Sequence, residues 1–282
     1  MDILTLAIKS VILGIVEGIT EFLPVSSTGH LVIFENLLHF KSVSKNYVEM
    51  YTYVIQLGAI LAVIVLYWNK IKDTLINLFP SKKVSYGESG LRFWLVIVLA
   101  CIPGALIEIP FGDLADKYLF NYISVAIMLF IGAIWMLYAE NRYRNNNKTS
   151  NINVTAKQAV IVGIFQCLSI MPGMSRSAST IIGGWVSGLS TVAAAEFSFF
   201  LAIPVMLGMS LLKILKIGGL MSLTTAEIIS LTVGFVVSFI VALMVIDKFI
   251  SYLKKKPMKV FAFYRIIFAV VVLATGFLGI FK

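Results

Sequence analysis

The sequence predicts an all-α polytopic membrane protein, with six transmembrane helices plus two re-entrant helix-loop-helix pairs in an inverted-topology repeat. Three observations support this fold class. Hydrophobic residues make up 59% of the 282 residues and charged residues only 13%, which is too apolar for a soluble domain. Apolar runs of membrane-spanning length recur along the chain. Two similar polar segments interrupt the apolar sequence near residues 20 and 170.

Six apolar runs of about 20 residues, the length that a helix needs to cross a bilayer, are predicted to span the membrane. They lie at 48–68, 91–112, 119–139, 193–213, 225–247 and 261–281. Two further apolar segments, around 3–39 and 155–190, are each interrupted near the middle by a polar stretch that contains proline. Their pieces are too short for clean spans, so each segment is predicted to return to the side from which it entered.

The basic residues predict the orientation of these helices. Most of them fall in three loops, near 70–92, 142–157 and 248–259, which are expected to be cytoplasmic. The six spans then put all three loops on one face and both termini on the other. The net charge of +9 is therefore explained by topology, and no nucleic-acid partner is expected.

The two polar segments look like copies of each other. VILGIVEGITEFLPVSSTGH, from Val11 to His30, aligns at a constant offset with VIVGIFQCLSIMPGMSRSAST, from Val160 to Thr180. Because an odd number of spans separates them, the second segment enters from the opposite side and the repeat is inverted. The predicted halves are about 1–140 and 155–282, with a linker at 141–154, and they form a single integral membrane domain of residues 1–282.

Glu17 and Glu21 are four positions apart on a predicted helix, so both carboxylates project from one face at membrane depth. An unpaired charge is costly there, and the pair needs a cation. The candidates are a divalent metal, held by carboxylate and phosphate oxygens, or the guanidinium of Arg176, which the inverted repeat brings to the same region. A purely structural Glu–Arg pair between the halves is the alternative, but it leaves the neighbouring hydroxyls and His30 unexplained.

Helix N-termini are predicted after Ser26 or Ser27 and after Ser175 or Ser177, and together they would form an anion site suited to phosphate. Arg176 adds a planar fork for phosphate oxygens. The candidate substrate-binding residues are Ser26, Thr28, Gly173, Ser175, Ser177 and Thr180. For most of the hydroxyls, ordinary helix capping and interhelical hydrogen bonding are equally good explanations.

His30 lies one helical turn after the serine pair, so its ring is expected to reach a Ser26 or Ser27 hydroxyl as a general base. Two chemistries fit this set of residues. In one, Ser27 is the nucleophile and forms a phosphoseryl intermediate; in the other, His30 or metal-bound water attacks phosphorus directly.

The segments EGITEFLPVSSTGH and PGMSRSAST resemble the two signature motifs of the undecaprenyl-pyrophosphate phosphatase family, known for bacitracin resistance. The resemblance covers the whole chain. It implies removal of one phosphate from undecaprenyl pyrophosphate to regenerate the cell-wall lipid carrier, with a divalent cation (Mg or Ca) held by Glu17 and Glu21. It also implies a site that opens to the outer face of the bacterial plasma membrane. The catalytic residues that it implies are Glu17, Glu21, Ser27, His30 and Arg176.

A polyprenyl-phosphate transporter or flippase that uses the same anion site is the alternative function, because inverted repeats with discontinuous helices recur in transporters. A carrier needs the anion site but has no need of a Ser–His pair beside two carboxylates. The expected partners are a polyprenyl pyrophosphate lipid and membrane lipids. The sequence leaves a homo-oligomer open.

Overall fold

A computed structural model describes residues 3–42, 44, 47–82, 84–144, 153–216 and 223–279. Within these residues every regular element is helical. The eleven α-helices are α1 (Ile3–Thr20), α2 (Ser27–Leu37), α3 (Tyr47–Leu66), α4 (Trp68–Ile76), α5 (Gly90–Leu119), α6 (Tyr122–Tyr143), α7 (Ala156–Gln166), α8 (Arg176–Val186), α9 (Thr191–Lys216), α10 (Thr225–Lys255) and α11 (Lys259–Phe277).

Seven of these helices are long and apolar enough to cross a membrane. Six of them are α3, α5, α6, α9, α10 and α11, which confirms the predicted spans. The seventh is α1, which the sequence interpretation assigned to a re-entrant pair and which has 18 residues. The chain is therefore a multi-pass membrane protein.

The helices that follow the polar turns are much shorter. Both α2 and α8 have 11 residues, about 16 Å of helix, which is roughly half of a bilayer's hydrocarbon core. Neither can cross the membrane alone. Their length supports the re-entrant interpretation of the two broken segments, which stays a prediction.

Helix directions are consistent with an inverted repeat. Helices α1 and α10 run in the same direction, since Ser10 contacts Ser230 and Gly14 faces Gly234. The pair related to them by the predicted repeat, α7 and α5, is also parallel. By contrast, α3 and α9 are antiparallel, because Ser210 donates to the carbonyl of Tyr53 while Lys213 pairs with Glu49. These relations support the inverted repeat, and its layout and the assignment of the two halves stay predictions.

Close helix packing at two glycines positions the broken segments. A side chain at Gly14 would collide with the carbonyl of Gly234 on α10, and one at Gly163 would collide with the carbonyl of Ala100 on α5. Small residues allow helix backbones in membranes to approach this closely. Each broken segment is thus packed against a long helix of the opposite predicted half.

One element was not predicted. The segment 68–76 is a helix, α4, although its lysines were assigned to a cytoplasmic loop. It has 9 residues, of which Ile71 is buried, and this length is too short for a membrane span. The central part of the predicted linker, residues 145–152, lies outside the described residues, as do the loop positions Lys45 and Lys83.

Candidate active site

The first polar turn connects α1 to α2. The amide of Glu21 donates to the carbonyl of Glu17 at 3.0 Å, so the helical geometry extends past Thr20. Both carboxylates therefore project to one side, as the four-residue spacing predicts. They are buried, with exposed fractions of 0% for Glu17 and 4% for Glu21.

The turn ends at Ser26, which caps α2. Its side chain accepts a hydrogen bond from the amide of Gly29 at 3.3 Å, and its φ is 71°. In the second segment, Ser175 caps α8 in the same way, accepting from the amide of Ala178 at 3.3 Å with a φ of 73°. Left-handed backbone is unusual for residues with a side chain and has to be held by the surroundings. Both predicted helix N-termini are therefore present.

The correspondence extends to the far ends of the two short helices. Leu38 and Ser187 have the same helical C-cap conformation, and the next residues, His39 and Gly188, both have a positive φ. The backbone hydrogen bonds that close the two helices also match one to one. Thus the sequence similarity of the broken segments is accompanied by equal local structure.

Glu21 connects the two halves of the site. Its Oε1 accepts a hydrogen bond from Nη2 of Arg176 at 2.8 Å, and its Oε2 accepts one from the hydroxyl of Ser27 at 2.7 Å. The other terminal nitrogen of Arg176 donates to the carbonyl of Ser198 at 3.0 Å. A carboxylate in this position can take a proton from Ser27 while the guanidinium balances its charge.

Glu17 lies beside the carboxyl of Glu21 but differs from it in its hydrogen bonds. Both of its carboxylate oxygens are buried and without a hydrogen bond in the described part of the chain. A buried carboxylate is costly unless it is protonated, paired or bound to a metal, so Glu17 either carries a proton or needs a positively charged partner. In the second segment the aligned position is Gln166, whose Oε1 is likewise buried without a partner among the described residues.

The predicted substrate-binding residues lie around this centre, and most of their hydroxyls have protein partners. Ser177 donates to the carbonyl of Leu23 at 2.9 Å and so ties the two turns together. Thr180 contacts the Ser198 hydroxyl at 2.6 Å, and Thr28 is half-buried in the first turn of α2. Gly173 has a φ of 101° and packs so closely on α6 that a side chain would collide with a backbone carbonyl. These contacts agree with the capping and interhelical roles that the sequence left open.

The expected contact between His30 and a serine hydroxyl needs correction. Nδ1 of His30 lies 2.7 Å from the backbone carbonyl of Ser26, and Nε2 lies 2.7 Å from the hydroxyl of Tyr264. The ring also stacks on Phe268, with the centroids 3.9 Å apart. Both ring nitrogens are therefore engaged away from Ser27, and in this geometry the nearest base for its hydroxyl is Glu21.

Three residues of this region were missed by the sequence analysis. Tyr264 and Arg265 lie on α11, and Ser198 lies on α9. Arg265 carries a signal that could have found it, since an arginine inside an apolar span is a functional candidate by default. Tyr264 and Ser198 carry no such signal, because tyrosine and serine are ordinary residues in membrane helices.

Comparison with known proteins agrees with this site. The pattern of the family described as "Bacitracin resistance protein BacA" matches residues 10–271. A protein of Ruminiclostridium cellulolyticum named "Undecaprenyl-diphosphatase" is 65% identical over 282 residues, which cover 100% of both chains.

Two further relatives bear the same name. One, from Clostridium novyi, is 54% identical over 97% of this chain and 96% of its own. The other, from Clostridium tetani, is 53% identical over 98% of each chain. With a family match across nearly its full length and relatives at this level of identity, the chain belongs to the bacitracin resistance protein BacA family.

Proposed function

We propose that this protein hydrolyses undecaprenyl diphosphate to undecaprenyl phosphate and inorganic phosphate. Relatives that match the whole chain are named for this activity. The structural observation that carries the proposal is the position of Glu21, which binds the guanidinium of Arg176 on one oxygen and the Ser27 hydroxyl on the other. The proposed nucleophile, Ser27, and the guanidinium of Arg176, which can bind phosphate, thus both contact the carboxylate that we propose as the base.

The diphosphate would bind between the N-termini of α2 and α8. The amides in the first turn of a helix lack intrahelical acceptors and attract phosphate. Nε of Arg176 is buried and has no partner among the described residues, so it is available to a phosphate oxygen. A membrane-embedded site of this kind suits a substrate whose charged end is attached to a long apolar chain.

For the reaction, we favour attack by Ser27. Its oxygen forms a bond to the terminal phosphorus while the bond from that phosphorus to the bridging oxygen breaks, so undecaprenyl phosphate leaves. The proton of Ser27 passes to Glu21. Water then attacks the phosphorus of the phosphoserine, and the bond from that phosphorus to the Ser27 oxygen breaks. The Ser27 oxygen takes back the proton held by Glu21, and the protons of the water leave with the inorganic phosphate. Direct attack by water or by His30 is the competing route.

A divalent cation, Mg or Ca, is proposed at Glu17 and Glu21. Glu17 fits this role because both of its buried oxygens lack a partner in the described chain. No cluster of three or more His, Cys, Asp or Glu side chains occurs among the described residues. Phosphate oxygens and water would therefore complete the coordination, as is usual for Mg²⁺. When bound, the cation would neutralise charge on the diphosphate.

The test measures inorganic phosphate released from undecaprenyl diphosphate by the purified protein in detergent. It is run with a chelator, and again after Mg or Ca is restored. We expect release that falls on chelation and returns with the cation, and loss of release in Glu21→Gln. Binding of the lipid without phosphate release at any cation concentration would overturn the enzyme assignment and favour the carrier alternative.

We further propose that the basic loops are cytoplasmic and that the site opens to the outer face of the bacterial plasma membrane. The distribution of lysine and arginine supports this orientation. In a variant with Cys101 and Cys167 replaced by serine, a membrane-impermeant thiol reagent added to intact cells should label Leu278→Cys but not Ser85→Cys. The opposite labelling pattern would reverse the orientation.

A further inference from the structure

Helix α11 contacts both broken segments through two consecutive residues. Tyr264 bonds to His30 on α2, and Arg265 bonds to the turn before α8. Neighbouring residues on a helix point about 100° apart, so one helix can reach two separate turns at adjacent positions. Neither residue belongs to the polar turns themselves.

Tyr264 acts on the first turn through His30. A carbonyl oxygen only accepts hydrogen bonds, so Nδ1 of His30 donates to the Ser26 carbonyl at 2.7 Å. In the neutral ring Nε2 is then the acceptor, and it receives the hydroxyl of Tyr264 at 2.7 Å. Stacking on Phe268 fixes the plane of the ring. The position of the Ser26 carbonyl is thus linked through His30 to α11.

Arg265 acts on the second turn directly. Its side chain is fully buried, and Nη2 donates to the carbonyls of Gly173 at 2.8 Å and Met174 at 3.1 Å. These are the two residues before Ser175, which caps α8. Helix α6 leaves space for the guanidinium at Gly132, where a side chain would collide with it.

We propose that Tyr264 and Arg265 are positioning residues that set the two serine-capped turns relative to each other. This inference rests on the proposed phosphatase function. Ser26 and Ser175 both have left-handed backbone, which the surrounding contacts must hold. Because α11 bonds to carbonyls of the second turn directly and to the carbonyl of Ser26 only through His30, it sets the distance between the helix N-termini that receive the diphosphate. Neither residue needs to touch the substrate.

The first experiment removes only the Tyr264 hydroxyl, with Tyr264→Phe. Tyr138→Phe is the matched control, since Tyr138 is an exposed tyrosine of α6. We expect kcat for phosphate release to fall on the order of 10-fold to 100-fold in Tyr264→Phe, because a displaced catalytic geometry reduces turnover more than binding. KM and the thermal midpoint should change little, and the control should match the original protein.

The second readout does not depend on activity. The chain has 2 histidines, so ¹⁵N-histidine labelling gives two ring systems, and His39→Gln identifies the signals of His30. We expect a single tautomer protonated at Nδ1 in the original protein and in Tyr138→Phe, and altered His30 signals in Tyr264→Phe. Unchanged signals or unchanged kcat in Tyr264→Phe would overturn the role of Tyr264.

Arg265→Lys tests the second anchor, with Arg142→Lys on the exposed end of α6 as its control. Lysine keeps the charge, but its side chain is shorter and its ammonium is not expected to reach the two carbonyls that Nη2 contacts. We therefore expect a loss of kcat that Arg142→Lys does not produce. Turnover equal to that of the control would overturn the role of Arg265. Absence of hydrolysis by the original protein would reject the phosphatase proposal instead, and the His30 signals would still decide the role of Tyr264.

Discussion

Nη2 of Arg176 lies 2.8 Å from Oε1 of Glu21, although the two residues are 155 positions apart in the chain. The contact joins the polar turns of the two segments in a buried ion pair. Removal of either partner leaves the other charge buried and uncompensated, which is strongly unfavourable.

Glu21→Gln should lower kcat by about 100-fold to 10,000-fold, because Glu21 is the proposed base for Ser27 and this is the usual contribution of a general base. Glutamine still accepts a hydrogen bond from Arg176 but cannot take the proton of Ser27. Phosphate release by purified variants measures the effect, and Glu88→Gln, an exposed glutamate, is the control. Rates within a factor of two of the original protein would exclude Glu21 as the base.

Arg176→Ala should lose most turnover while the protein still inserts and folds, and Arg176→Lys should recover part of it. Lysine restores the charge beside Glu21 but cannot contact Glu21 and Ser198 with two nitrogens of one planar group. Phosphate release and the thermal midpoint of each variant are measured together. Equal activity of the alanine and lysine variants would show that charge at this position is unimportant.

Ser27 should carry the transferred phosphate during turnover. Its hydroxyl is hydrogen-bonded to Glu21, whereas both nitrogens of His30 are engaged by Ser26 and Tyr264. Rapid quenching with labelled diphosphate should trap phosphoserine in the original protein and in Ser177→Ala, but not in Ser27→Ala. Trapped phosphohistidine, or no phosphoenzyme under any quench condition, would favour direct attack by His30 or water.

Glu17→Gln should be milder than Glu21→Gln and should change the cation dependence. The amide oxygen of glutamine is a weaker cation ligand than a carboxylate, so more Mg or Ca should be needed for half-maximal phosphate release. Titration of each cation into chelator-treated protein measures the shift. An unchanged titration curve would remove Glu17 from the proposed cation site.

The glycines at which the broken segments pack on α10 and α5 should not tolerate replacement by alanine. Gly14→Ala and Gly163→Ala place a methyl group against a backbone carbonyl of α10 or α5, and overpacking of this kind costs about 1–3 kcal/mol of unfolding free energy. Gly208→Ala is the control, because that position has open space. Thermal midpoints in detergent should fall for the first two variants and stay level or rise for the third.

Spans and polar turns were predictable from the sequence because each leaves a local signal. Apolar length predicted α3, α5, α6, α9, α10 and α11, and the serine caps predicted where α2 and α8 begin. Arg176 was one of two cations that the sequence left open for the glutamate pair, the other being a divalent metal, and the structure places Arg176 against Glu21.

The surroundings of His30 were not predictable, since its partner Tyr264 is 234 positions away in an apolar helix. The local spacing suggested a serine hydroxyl, but the helix geometry instead directs Nδ1 to a carbonyl of the preceding turn. The short helix α4 was missed for a different reason. Its lysines fit the charge pattern of a loop, and its 9 residues are too few for a membrane span, although its apolar residues stand at helical spacing.

The parallel contact of α1 with α10 has a consequence for biosynthesis. The face of α1 that carries Gly14 leaves the ribosome before α10, the helix that covers it, which is made more than two hundred residues later. During translation this face must therefore be shielded by lipid or by an insertion factor. The proposed catalytic centre can be completed only after α11, which holds Tyr264, has followed α1 and α2 into the membrane.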